Sequence, residues 1–128
     1  MTRWPLVALL LSCCASLPVA AGDHVYSTDY SDCMGRAGRV TVDVLQCIAA
    51  ETSRQDARLN ETYRALRGHL YSARLTALVA AQRLWMQYRD ANCSVYAYPD
   101  GGTPAAIHRA SCILEMTAER ASELERLS

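Results

Sequence analysis

Residues 75–95, LTALVAAQRLWMQYRDANCSV, decide the fold, because two apolar stripes run along them at helical spacing. One is Leu75, Leu78, Gln82, Trp85, Arg89 and Cys93. The other is Ala81, Leu84, Tyr88, Ala91 and Val95. Steps of three and four put each set on one side of a helix. A helix with two such stripes is expected to lie between two neighbours, so this segment, about 74–96, reads as the middle helix of three.

Outward from it, Leu45, Ile48, Thr52, Leu59, Tyr63, Leu66 and Leu70 mark an earlier helix over about 43–70, with Thr41 or Asp43 as its cap. Downstream, Tyr98-Pro99-Asp100-Gly101-Gly102-Thr103-Pro104 breaks the chain with turn residues. Ile107, Ala110, Leu114, Thr117, Ala121 and Leu124 then mark a last helix over 105–126. Residues 22–40, with Gly35 and Gly38, show no sustained period and read as an irregular lead-in to a single helical domain at 41–128.

Hairpin register follows from which pairs share a midpoint. Leu70 with Leu75, Tyr63 with Gln82, Asn60 with Trp85 and Asp56 with Arg89 are all centred between Ser72 and Ala73. Val95 with Ala110, Ala91 with Leu114, Tyr88 with Thr117, Leu84 with Ala121 and Ala81 with Leu124 are centred between Gly102 and Thr103. Both midpoints fall in expected turns. The fold class is therefore all-α, a small antiparallel three-helix bundle.

The first 21 residues read as a signal peptide. Arg3 supplies the positive charge, Leu6 to Leu17 the apolar run, and Val19-Ala20-Ala21 the small residues that place cleavage before Gly22. That run is shorter than the ~20 residues that span a bilayer, so no stable anchor is expected after cleavage. Leu10-Leu11-Ser12-Cys13 loosely resembles a lipoprotein processing site, but its apolar run is short and it would leave Cys14 unpaired. Cutting before Gly22 removes two of the six cysteines and leaves Cys33, Cys47, Cys93 and Cys112 for an oxidising, periplasmic or extracellular compartment.

Four cysteines allow three connectivities, and the preferred one is Cys33–Cys47 with Cys93–Cys112. The second pair shares the midpoint of the second hairpin; the first would tie the lead-in to the first helix. Zinc is disfavoured, because no C-x-x-C occurs and His24, His69 and His108 form no i, i+4 pair. No cofactor is called for. Thirteen basic and thirteen acidic residues cancel, which argues against nucleic acid held by phosphate neutralisation.

Asp56, Asn60, Gln82, Trp85 and Arg89 fall on the faces expected to meet between the first two helices. A buried charge needs a partner, so Asp56 facing Arg89 reads as a structural core network. With no nucleophile and no second carboxylate on that face, the reading is a binding protein, not an enzyme. Exposed candidates for partner contact are the loop residues Tyr96, Tyr98, Asp100, Gly101 and Gly102, together with Glu115, Glu119, Glu123 and Glu125 of the last helix.

The order D-x-x-L-N-x-x-Y from Asp56, Q-R-x-W-x-x-x-R-D-x-x-C from Gln82, Gly101-Gly102, then C-x-x-x-x-T-x-x-R from Cys112 resembles the LprI-like lysozyme-inhibitor domain of bacterial envelopes. The likeness covers about Cys33 to Leu124. It implies an all-helical periplasmic or secreted protein that blocks a lysozyme or another peptidoglycan hydrolase by occluding its cleft. The alternative is an envelope structural or stress-related module that binds another periplasmic protein or a cell-wall fragment without inhibiting anything. The motif residues are mostly those assigned to core and staples, so they speak for the fold first. Nothing in the sequence sets the oligomeric state.

Overall fold

A computed structural model describes residues 26–98 and 101–128 as four helices: α1 (Thr28–Ala37), α2 (Thr41–His69), α3 (Ser72–Ser94) and α4 (Gly102–Glu125). The expected signal peptide, residues 1–21, lies outside the described residues, as do Pro99 and Asp100. The three long helices stand within a few residues of their expected bounds.

The lead-in is not irregular. Ser27 caps α1, its hydroxyl accepting from the Tyr30 amide at 3.2 Å. Tyr26, Tyr30, Cys33, Met34 and Ala37 form a stripe at helical spacing that packs on Val44, Cys47, Ile48 and Leu114. Gly35 and the polar outer face obscure that stripe in the sequence. Gly38, at φ +55°, then ends the helix and turns the chain into α2.

The helix order in space also differs from the expectation. The most extensive packing is between α2 and α4, which are not neighbours in sequence. They run parallel. Ile48 sits in one cluster with Ala110 and Leu114, and ten residues on Arg58 reaches Ser122 and Glu125. A second cluster joins Leu59, Leu66, Leu78, Ala121 and Leu124, flanked by Tyr63, Leu70 and Trp85. Leu124 is fully buried, and truncating such a residue to Ala costs about 2–5 kcal/mol.

Thus α3 is not the middle helix. It lies along α4 on the edge, with only its first turns near the end of α2. The register expected for the second hairpin holds, with Cys93 beside Cys112 and Gln82 beside Arg120, but through the stripe that carries Leu78, Gln82 and Cys93. The other stripe faces solvent: Leu84 is 65%, Tyr88 61% and Val95 61% exposed.

Both disulfides close between the cysteines paired in the sequence analysis, Cys33–Cys47 and Cys93–Cys112, with Cα separations of 5.7 and 5.6 Å. The first pins α1 to α2 and the second pins the end of α3 to α4. Among the described residues no helix is long and apolar enough to cross a membrane.

Candidate functional site

The polar residues expected to unite at a helix interface separate into two groups, Asp56 with Asn60 on α2 and Gln82, Trp85 and Arg89 on α3. Asp56 and Asn60 are exposed on α2 and bond to each other at 2.9 Å. Arg89 bonds to Asp90 at 2.8 Å rather than to Asp56. The Asp56–Arg89 pairing is therefore overturned, because α3 leans on α4 and leaves that part of α2 open to water. Glu51 and Gln55, one step round the helix from the expected stripe, are the buried polar residues of α2.

Gln82 and Trp85 instead join α4. The buried guanidinium of Arg120 donates to Gln82 Oε1 at 3.0 Å and to Glu123 at 2.7 Å. Two guanidinium groups lie against Trp85, Arg89 at 5.2 Å and Arg120 at 5.9 Å from the ring centroid. A cation held over an indole face gains from the ring's quadrupole. This cluster, read in the sequence as a contact with the first long helix, locks α3 to α4.

The second node is Glu51, which has no solvent exposure. Its carboxylate accepts from the Ser27 amide at 3.0 Å, the Ser27 hydroxyl at 2.5 Å and Gln55 Nε2 at 2.8 Å. Burial alone would push this carboxyl up, but those donors, with Arg54 at 3.5 Å, hold it below its ordinary value. Close by, burial raises the Tyr26 hydroxyl to about 12, with the charges of Glu115, Glu119 and Glu51 and the neighbouring Tyr30 adding to the effect. Sequence reading missed Glu51, although its i, i+4 spacing to Gln55 between Ile48 and Leu59 is a usable signal.

Neither node is open enough to act on a ligand. The exposed candidate is the connector from α3 to α4. Tyr96 is 40% and Tyr98 58% exposed, and Tyr96 lies beside His108 of α4 with ring centroids 6.4 Å apart. The Cys93–Cys112 bond closes its base. At its end, a Cβ on Gly101 would come within 2.5 Å of Ala105 Cβ and 3.2 Å of Tyr98 Cβ, so the close approach requires glycine. Gly102, at φ +54°, takes the left-handed turn into α4.

Of the four glutamates on α4, Glu123 pairs with Arg120 and Glu125 with Arg58 at 2.6 Å. Glu115 and Glu119 are exposed and form no ion pair among the described residues. Nor is there, among those residues, a group of three His, Cys, Asp or Glu able to hold a metal.

The profile of the family described as lysozyme inhibitor LprI matches residues 33–124, from the first cysteine of the α1–α2 staple to the last buried leucine. The chain belongs to the LprI lysozyme-inhibitor family. Within this LprI domain the matched span contains both disulfides and the Gln82–Arg120 lock. A curated relative, an uncharacterized protein of Rhizobium meliloti (strain 1021), is 27% identical over 137 aligned positions, covering 96% of this chain and 92% of its own. No solved structure matches the LprI chain described here.

Proposed function

We propose that this protein is exported and blocks a lysozyme-type peptidoglycan hydrolase by pressing the α3–α4 connector into the enzyme's cleft. Membership of the LprI family supports inhibition in general; the connector supports this route to it. The observation that carries the reading is the pair Tyr96 and Tyr98, exposed on a short segment whose base is closed by a disulfide. Tyrosine offers a large amphipathic contact with few rotatable bonds, so it loses little side-chain freedom on docking.

Asp100 follows Tyr98 in the sequence, and Glu115 and Glu119 add exposed negative charge on α4. Lysozymes that attack bacterial walls are commonly basic, so these acids favour approach and register more than raw affinity. The action is steric: the enzyme's cleft is filled and no bond is made or broken. Export rests on the apolar run Leu6 to Leu17 with cleavage before Gly22, which delivers the protein to the compartment where walls are attacked and disulfides persist.

The test is a turbidity assay of cell-wall lysis with the purified protein against several lysozyme types. Dose-dependent slowing at micromolar protein supports the proposal. Undiminished lysis by every lysozyme removes it.

A further inference from the structure

The exposed face of α3 has an order of its own. Ala77, Ala81, Leu84, Tyr88, Ala91 and Val95 follow one another at steps of four and three, and every one is exposed. That alternation is the spacing of a two-helix seam, in which apolar residues recur every 3.5 positions. The stripe is about 27 Å long at 1.5 Å per residue. Ala80, Gln87 and Ser94, which flank its open side, carry no charge. Of the charged residues of α3, Arg89 packs on Trp85, bonded to Asp90, and Arg83 lies off the stripe; Arg74, three residues before Ala77, bounds the uncharged stretch at the start of the helix.

We infer that this face pairs with the same face of a second copy of the chain, the two α3 helices antiparallel about a two-fold axis. A two-fold interface must be complementary to itself, and this stripe is. About a midpoint at Met86, Leu84 falls opposite the partner's Tyr88, Ala81 opposite the partner's Ala91, and Ala77 opposite the partner's Val95. The two largest side chains meet at the centre, and the flanking alanines let the helices close on either side. A parallel pairing would instead set Tyr88 against the partner's Tyr88 and Leu84 against the partner's Leu84. Because the stripe is uncharged, self-pairing brings no like charges together, whereas a basic or acidic partner would find nothing there to complement. α3 lies on the edge of the fold, so among the described residues no other helix obstructs the approach.

A single helix face is at the small end of specific interfaces, so dissociation in the micromolar range, up to about 100 μM, is expected. Sedimentation equilibrium of the purified protein at about 0.3 mM, above that range, should give an average mass approaching twice that of one chain. Leu84→Glu should return it to one chain while circular dichroism and melting stay unchanged, since residue 84 is exposed. Tyr88→Arg should do the same, and mixing these two variants should restore pairing, because only the antiparallel register sets position 84 against position 88 of the partner. Wild-type protein that stays monomeric overturns the inference, as does self-association that Leu84→Glu leaves intact or that the mixture fails to restore. If the wild type is monomeric and Leu84→Glu instead weakens lysozyme inhibition, the face belongs to the target. Failure of lysozyme inhibition with dimerisation intact would bear on the proposed function alone.

Discussion

Glu51, sealed from solvent in α2, holds both the amide and the hydroxyl of Ser27 and so fixes the start of α1 from another helix. Replacing it by Gln keeps the volume but sets an amide NH2 against donors. Glu51→Gln should cost about 1–3 kcal/mol, the range for hydrogen bonds to buried charge. A melting temperature several degrees lower, with α1 the first segment to exchange its amide hydrogens, is the expected result.

The same carboxyl shapes the acid limb of stability. Its folded value is held below the ordinary 4.5, so its contribution is complete above about pH 4.5 and is lost as pH falls through the lowered folded value. Glu125, lowered by its bond to Arg58, acts in the same direction but is more exposed and screened. Melts between pH 7 and 3 should therefore fall less steeply for Glu51→Gln than for the wild type.

On the alkaline side Tyr26 works the opposite way. Its hydroxyl is raised from 10.0 to about 12, so stability is complete below pH 10 and declines as pH rises through the folded value. A phenolate absorbance titration should show a late component that disappears in Tyr26→Phe.

Truncating Gln82 and truncating Asp56 should have very different costs. Gln82→Ala leaves the buried Nε of Arg120 without its acceptor, though Glu123 still holds the guanidinium, and removes a wedge between α3 and α4, for a cost of about 1–3 kcal/mol. Asp56→Ala touches only an exposed bond to Asn60, and such surface changes stay within about 0.5 kcal/mol. Paired thermal melts separate the two.

That contrast shows how far the sequence could be read. Helical spacing identified the three long helices, and shared midpoints placed Cys93 beside Cys112. Periodicity says which residues share a side of a helix; it does not say what covers that side. The stripe through Leu84 and Tyr88 therefore looked like core, and Asp56 looked buried. The pairing of α2 with α4 was illegible for a related reason, since hairpin arithmetic considers only helices that follow one another. Of the connector residues, Tyr96 and Tyr98 are exposed as a contact segment requires, while Asp100 lies outside the described residues. α1 was hidden by Gly35 and by charged residues on its outer side.

The connector can be tested by substitution. Tyr98→Ala should weaken inhibition by roughly 5- to 30-fold, the effect of losing 1–2 kcal/mol at a central aromatic contact, with melting unchanged. Gly101→Ala, which forces Ala105 or Tyr98 to move, should weaken it as well. Inhibition constants from the lysis assay provide the measure.

Removing the staples should separate stability from inhibition. Cys33→Ser with Cys47→Ser, and Cys93→Ser with Cys112→Ser, each lose on the order of 3 kcal/mol of chain-entropy stabilisation. Only the second pair frees the base of the connector, so only it should weaken inhibition in protein that remains folded at low temperature.

Arg58 bonds to Ser122 across 64 positions of the chain, and the principal helix pair is assembled throughout from such distant partners. The growing polypeptide consequently has no complete core before α4 is made: until then Ile48 lacks Leu114 and Ala110, and Leu59 lacks Ala121 and Leu124. A product cut short after α3 should be unfolded and open to proteases, because the core shuts only once α4 is present.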